Sequence, residues 1–377
     1  MDTHTLDIIV VGNGLAGAPA GAPLAADHKV ALIAAEEAAG YHSTGRSAAL
    51  WILNYGPPDV RVLTGLSRAF FEAPPPGFTE TPIMSHRPVL NIAAADALTE
   101  YDRMMAIGTG LRELTPAQAA ELVPALRPGH VARAAIEDDT FDMDVATLHQ
   151  GFLRMLRARG GQLALRSRSM RIERKNGMWE VEVTGGAVLR APILVNAAGA
   201  WGDEVAAQAG VARVGLQPKR RTGVIINPKP WIVTDWPAVM DCAGTWYCRA
   251  EARTHLMVSP VDETPVPPQD IQPDELDVAI AIDRMQQALD IEVTRVERSW
   301  AGLRSFVPDG SLVIGWDDTA EGFFWSIGQG GYGIQTSPAA GQFVADLVSH
   351  RDPGAAAPIL GAVNPTRFKP SRFKQSG

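Results

Sequence analysis

Gly12-Asn13-Gly14-Leu15-Ala16-Gly17 follows the apolar run Ile8-Ile9-Val10-Val11 near the start of the chain. This glycine spacing suits a dinucleotide pyrophosphate. Gly12 permits a tight turn, Gly14 lets a phosphate approach the backbone, and Gly17 allows close helix–sheet packing with the helix N-terminus facing the phosphates. Leu15 and Ala16 complete the turn. Two features depart from the pattern. The acidic residue that would hold a ribose hydroxyl is expected where Ala34 and Ala35 stand, so Glu36 is the first carboxylate available. Pro19 and Pro23 fall inside the predicted helix, where each costs up to about 3 kcal/mol unless it lies in the first turn.

Three further blocks carry groups that can face a ligand. Gly40-Tyr41-His42-Ser43-Thr44-Gly45-Arg46-Ser47 offers hydroxyls, backbone N–H groups and a cation, which suits an anionic phosphate; a helix cap with a surface arginine fits these residues equally well. Asn196-Ala197-Ala198-Gly199-Ala200-Trp201 ends a strand in a small-residue turn that permits close backbone approach. Gly328-Gln329-Gly330-Gly331-Tyr332-Gly333 places four glycines in six positions ahead of a helix, so backbone donors can converge there.

The elements that must position these blocks read as a mixed α/β chain. Ile8–Val11 and Val30–Ile33 are strands flanking an Ala/Gly-rich helix of about fifteen residues, a βαβ unit with a parallel pair. Ala73-Pro74-Pro75-Pro76-Gly77 punctuates the chain before a strand over 89–92 and a helix near 95–107. Asp144 is placed to cap a helix whose apolar positions are Leu148, Phe152, Leu153 and Leu156. Strands over 162–166, 169–174 and 178–183 form a meander, with Lys175-Asn176-Gly177 as a hairpin turn, before a strand at 193–195. A helix near 274–290, strands over 311–315 and 323–327 and a helix over 337–349 complete the pattern. The tail beyond 364, with Arg367, Lys369, Arg372 and Lys374, reads as a solvated end.

The chain has 377 residues, 46% apolar and 20% charged, enough for two domains and against disorder. Its net charge of -8, from 34 basic and 42 acidic residues, argues against nucleic acid or anionic membrane as partner. Cys242 and Cys248 make neither a disulfide framework nor a four-ligand zinc site. No export signal or membrane span is legible, and the expected compartment is the cytoplasm.

In order along nearly the whole chain, these blocks, with Gln217-Pro218-Lys219-Arg220-Arg221, Trp300-Ala301-Gly302-Leu303-Arg304-Ser305 and Gly328 to Thr336, resemble the FAD-dependent D-amino acid oxidase superfamily, nearest its bacterial D-arginine dehydrogenases. The resemblance implies a Rossmann-like FAD-binding domain (1–80, 146–215 and 305–377) interleaved with a β-sheet substrate domain (81–145 and 216–304). It implies that FAD is held noncovalently by the first glycine turn, Glu36, residues 42–47, Ala198, Gly199 and Trp201, and Gly328, Gly330, Gly331, Tyr332, Gly333 and Ile334. It implies that Arg221 and Arg304 grip an amino-acid carboxylate, a contact that two parallel guanidinium hydrogen bonds make well. Tyr55, Tyr247, Gly331 and Gln335 correspond to further active-site positions.

The side-chain pocket differs from that relative. Its substrate-pairing glutamate is replaced by Val89, and its active-site histidine and threonine by Leu50 and Ile52. An apolar pocket of Val89, Leu50 and Ile52 leaves a cationic head unpaired, so D-arginine and D-lysine are expected to be poor substrates. The implied reaction is oxidative deamination of D-amino acids with apolar side chains: hydride passes from the α-carbon to flavin N5, and the imino acid hydrolyses to a 2-oxo acid and ammonia. Two alternatives remain open. One is a flavin oxidase or dehydrogenase of secondary or N-alkyl amino acids of sarcosine, proline or opine type; the other is a degenerate, non-catalytic nucleotide-binding subunit, which Ala34, Pro19 and Pro23 motivate. Spacing does not choose among a quinone, an electron-transfer protein and dioxygen as electron acceptor.

Overall fold

The computed structural model describes residues 4–368. Its central sheet has the order β10 (Gln162–Ala164), β3 (Val30–Ile33), β2 (Ile8–Val11), β14 (Ile193–Asn196), β21 (Phe323–Ile327) and β20 (Val313–Trp316). All neighbours are parallel except β20, which runs antiparallel to β21. Side chains alternate between two buried faces, which is why these strands are apolar without interruption. Ile8, Val10, Leu32 and Phe324 meet the helices α1 (Gly17–Leu24), α5 (Val145–Ala158) and α8 (Gly333–Val348) on one face. Ile9, Val11, Ile33 and Trp325 meet a second sheet on the other. That sheet has the order β1 (His4–Thr5), β13 (Val188–Ala191), β12 (Met178–Val183) and β11 (Ser169–Lys175). Its β11–β12 hairpin turns at Asn176 and Gly177, both with positive φ.

The first helix is half the predicted length and ends at Leu24, one residue beyond Pro23. Pro23 has no N–H to donate to the Pro19 carbonyl four residues back. That carbonyl instead lies against α8 at Gly341, where a Cβ would stand 2.3 Å from the Pro19 oxygen. Pro19, in the first turn, is tolerated, while Pro23 coincides with the helix's end, and the free Pro19 carbonyl lies on the surface that α8 closes upon. The predicted meander also resolves differently, because β10 joins the central sheet beside β3 and only β11 and β12 continue as a hairpin. The helix predicted from 337 begins at Gly333, directly after the glycine loop. Asp144 caps α5 by accepting the Thr147 N–H at 2.8 Å. Of the basic tail, Arg367 pairs with Asp309 at 2.7 Å and its side chain is only 9% exposed, a correction to its reading as solvated; Lys369, Arg372 and Lys374 lie outside the described residues.

An eight-stranded sheet stands over the central one. Its order is β19 (Val296–Phe306), β15 (Gln217–Ile226), β18 (His255–Ser259), β17 (Tyr247–Glu251), β16 (Ala238–Asp241), β6 (Val89–Ala93), β8 (Arg133–Glu137) and β7 (Leu111–Leu114). One face is sealed by Leu90, Ile92, Val239 and Val258 against α4 (Pro116–Leu122) and α7 (Glu275–Ala288). The other face carries Arg221, Tyr247, Met240 and Asn91 toward the central sheet. A small sheet, β4 (Leu50–Trp51), β9 (Phe141–Met143) and β5 (Met84–His86), joins the two layers together with α2 (Pro58–Glu72). Among the described residues no helix is long and apolar enough to cross a membrane.

Candidate active site

A cavity of about 560 Å³ runs between the two large sheets, from the first glycine turn to the arginines of β15 and β19. At the turn, Gly12 adopts φ +115°, and its N–H donates to the Ile33 carbonyl at 2.9 Å. A Cβ on Gly12 would stand 2.1 Å from the Ala197 oxygen, one on Gly17 2.0 Å from the Gly12 oxygen, and one on Gly14 2.8 Å from Thr44 Oγ1. The three glycines are therefore fixed by packing, and Gly12, Gly14, Leu15 and Ala16 face the cavity. The Leu15 N–H donates to Thr44 Oγ1 at 3.1 Å. The Asn13 carbonyl accepts the His149 Nε2–H at 2.6 Å, and burial pushes the His149 pKa below its ordinary value, which keeps the ring neutral.

Glu36 lines the cavity beyond Ala34 and Ala35. It binds His42 Nε2 at 2.9 Å, and this bond holds its carboxyl below the usual range. The His42 ring lies 4.5 Å from Trp201. Ser43, Thr44, Ser47, Ala198, Gly199, Gly330, Gly331, Gly333 and Ile334 also line the cavity. Arg46 lines the cavity too, but its guanidinium is engaged: it bonds Asp270 and the Ile271 carbonyl, tying the 43–47 turn to the loop after β18. It is not left as a free cation for a phosphate. Gly17, Gly45, Gly328 and Tyr332 stand behind the cavity wall; Gly45 donates to the Gly40 carbonyl, and Tyr332 packs edge-on against Tyr55 at 5.1 Å.

At the opposite end, β15 and β19 bring two guanidinium groups together. Arg221 pairs with Gly302 in the antiparallel ladder, and Arg304 lies two residues beyond Gly302, so both side chains rise from one face. Arg221 is 8% exposed; its Nε donates to the Asp262 carbonyl at 2.8 Å and its Nη2 to Glu263 at 3.2 Å. Burial, followed by the like charge of Arg304, pulls its pKa down. Arg304 Nη1 donates to Tyr55 Oη at 3.1 Å. Gly331 backs this pair, since a Cβ there would stand 2.8 Å from both Arg304 Nη1 and Tyr55 Oη. Tyr247 lines the cavity beside them. Gln335 is 2% exposed and spends its amide on protein: Nε2 donates to Thr64 Oγ1 at 2.8 Å and Oε1 accepts the Ile52 N–H at 3.4 Å. It positions the Ile52–Tyr55 segment.

The side-chain end corrects the expected pocket. Leu50 and Ile52 line the cavity, but Val89 does not. It is packed beneath Ile52 and Ala238 as a small core of its own. The lining residues there are Asn91, Met104, Met240, Asp241, Cys242 and Trp246. Strand alternation puts Asn91 on the same face as Val89, two residues further along β6, which is the signal in the sequence that locates it. Asp241 closes its own turn, accepting from Thr245 Oγ1 at 2.5 Å and from the backbone N–H groups of Ala243 and Thr245 at 3.2 Å each. Burial, with the Asp241 charge second, pushes the Cys242 thiol up to about 12, so it stays neutral.

Residues 7–347 match the family model described as FAD dependent oxidoreductase (DAO). The chain belongs to this family. Over 373 residues it is 25% identical to glycine oxidase of Geobacillus kaustophilus, covering 93% of this chain and 94% of that protein. It is 26% identical over 178 residues to FAD-dependent oxidoreductase domain-containing protein 1 of Xenopus laevis, covering 41% of this chain and 34% of that protein. The matches to the first of the curated relatives thus span a third to under a half of their length. The crystal structure of L-proline dehydrogenase from P.horikoshii superposes with a TM-score of 0.81 at 20% identity, covering 99% of each chain. The residues present fit FAD. The turn at Gly12 and Gly14 has no room for a Cβ, the Glu36 carboxylate reaches the cavity next to it, and the far end meets the N-terminus of α8.

Proposed function

We propose that this chain oxidises the C–N bond of a D-amino acid with an uncharged side chain, with FAD held noncovalently. The observation that carries the reading is the convergence of Arg221 and Arg304 on one sheet face, beside the Gly330–Gly331 loop. Paired guanidinium groups bind a carboxylate and so fix the α-carbon next to it. FAD, when bound, supplies a two-electron acceptor for that carbon.

Residues 81–145 and 216–304, which furnish most of the eight-stranded sheet, hold the substrate together with the 50–55 segment and the Gly331 loop; the remainder holds the cofactor. Arg304 and Arg221 neutralise and orient the carboxylate, and Tyr55 fixes Arg304 through its hydroxyl. Gly331 admits that pair by lacking a side chain, and Gln335 holds the loop bearing Tyr55. The apolar wall of buried Ile52 and half-buried Leu50 and Met240 excludes water from the reacting carbon, which strengthens each charge contact. A substrate amine that binds neutral carries its own electron pair to the forming C=N bond, so no side-chain base is required. Loss of two electrons and two protons gives an imino acid, which water hydrolyses to a 2-oxo acid and ammonia. A cationic side chain finds no free carboxylate at the pocket end, because Asp241 is closed on its own turn.

The structure named for L-proline, a secondary amine, supports a second reading, in which the same clamp takes a secondary or N-alkyl amino acid. The tightly packed glycine turn counts against a subunit that has lost its nucleotide. An anaerobic titration of the FAD-loaded protein separates these readings. Bleaching of the flavin band by D-amino acids with uncharged side chains, and not by D-arginine, is the expected result. Bleaching by N-methylglycine or proline alone moves the assignment to secondary amines, and a protein that takes up no FAD overturns both.

A further inference from the structure

The floor of the cavity's side-chain end holds an amide with nothing to bond. Asn91 is 8% exposed and lines the cavity, and its side-chain amide makes no hydrogen bond with any described residue. Its amide opens on the cavity rather than being sealed in the core, so a ligand that fills this end takes the amide out of water and must replace those bonds. Its surroundings explain the absence of a protein partner. In β6, Asn91 stands opposite Ala135 of β8 and beside Met240 of β16, neither of which has a group to offer. On one flank lies the apolar core of Ile52, Val89 and Ala238. On the other lies α3 (Leu98–Ile107), packed through Tyr101 on Ala93 and Ala135, with Met104 lining the cavity. Tyr101 spends its hydroxyl on the Ala134 carbonyl at 3.0 Å, so it does not serve Asn91 either.

The placement of this amide relative to the arginines is equally informative. Met240 pairs with Tyr247 across β16 and β17, and Tyr247 pairs with Ser259 of β18, the strand next to Arg221. Asn91 therefore lies on the same sheet face as Arg221, four strands away. At about 4.8 Å per strand the two backbones are about 19 Å apart, and both side chains reach inward over the space between. A ligand gripped at its carboxylate by the arginines extends toward Asn91 past Tyr247 and Met240.

We propose that Asn91 is the specificity-determining residue of the side-chain pocket. In this role it selects substrates whose side chain ends in a neutral hydrogen-bonding group, such as a carboxamide, over apolar chains of the same shape. The inference rests on the amino-acid reading given above and sharpens its substrate class. An asparagine amide offers two donors and an acceptor, so it matches another amide in both directions. A carboxylate would enter a site walled by Met104, Met240, Leu50 and Trp246 with no opposite charge to meet it, and a cation would meet only Asp241, whose oxygens are engaged by its own turn. An apolar chain would cover the Asn91 amide and strip it of water without replacing the bonds.

The test compares isosteric substrates on the FAD-loaded protein, wild type and Asn91→Leu, with D-asparagine against D-leucine and D-glutamine against D-methionine. Wild type is expected to favour the amide of each pair by about 10- to 100-fold in kcat/KM, the cost range of an unmatched buried polar group. Asn91→Leu is expected to lower that ratio by a similar factor or invert it. Isothermal titration of the 2-oxo acid products that carry and lack the amide reports the same preference without turnover. A wild-type preference for the apolar member, or a variant that slows both members equally, overturns the proposal and leaves the carboxylate clamp standing. Failure of every primary amino acid to bleach the flavin removes the reading beneath it as well.

Discussion

Replacing Gly331 by alanine tests the clamp at one atom. A Cβ there would stand 2.8 Å from Arg304 Nη1 and from Tyr55 Oη, whereas ordinary contact begins at 3.4 Å, so each group must retreat by about 0.6 Å. The backbone at Gly331 is not in the left-handed region, which makes alanine sterically acceptable there and confines the effect to the side chain. Overpacking of this kind costs about 1–3 kcal/mol. On the proposed reading Arg304 grips the substrate carboxylate and Tyr55 fixes Arg304, so the loss falls on transition-state positioning, about 10- to 100-fold in kcat/KM. The assay is steady-state turnover with the best substrate of the anaerobic panel, together with FAD content from the visible absorption band. The expected variant binds FAD normally, melts within a few degrees of wild type and shows raised KM. Unchanged kcat/KM in a fully loaded protein would refute the reasoning, because the arginine and tyrosine would then have moved without consequence.

Tyr55→Phe removes the acceptor of the Arg304 Nη1 bond at 3.1 Å; KM is expected to rise about 3- to 10-fold, the worth of one such bond, and steady-state kinetics check it. Combined with Gly331→Ala, it relieves one of the two clashes, so the double variant loses less than the singles added together. Glu137, 4% exposed on β8, has its carboxyl raised by burial from 4.5 to about 7, opposed by hydrogen bonds from Asn54. The folded state therefore binds this proton more tightly than the unfolded one. The stabilisation is complete below about pH 4.5 and is lost as pH rises through about 7, at most about 3 kcal/mol. Glu137→Gln should flatten the fall in Tm between pH 5 and 8, and an unchanged slope would exclude Glu137 as its source.

What the sequence made legible follows from how far each signal reaches along the chain. The turn at Gly12 could be read because its strand, glycines and helix are contiguous, and close packing at Gly12 and Gly17 is a backbone matter. The length of α1 was misjudged because composition favoured helix while Pro23 ended it. Strand β10 was misassigned because its parallel partner, β3, lies some 130 residues earlier, and no local pattern encodes that pairing. Arg46 looked available because its partners, Asp270 and Ile271, belong to a loop more than two hundred residues later. Val89 was placed in the pocket by its position after Arg87-Pro88. Only the packing shows Ile52 lying over it and Asn91 taking the cavity-facing position on the same face.

The topology explains why the two chemistries share one cavity. Strands β2, β14 and β21 are neighbours and parallel, so Gly12, Ala197 and Gly328, which directly follow them, leave the sheet at the same edge. Ligands of open parallel sheets collect outside that edge, where successive loops can separate. The loop after β2 gives the pyrophosphate turn, and the loop after β14 packs on it through the Ala197 oxygen. The loop after β21 continues through Gly330 and Gly331 to the N-terminus of α8. Gly330 N–H donates to the Ser305 carbonyl at 3.0 Å, which joins this loop to β19 one residue beyond Arg304. The arginine's position is thereby referred to the central sheet rather than to the eight-stranded sheet alone. A substitution that loosens the Gly330–Ser305 link therefore acts at the substrate end first and leaves the nucleotide turn, two strands away, in place.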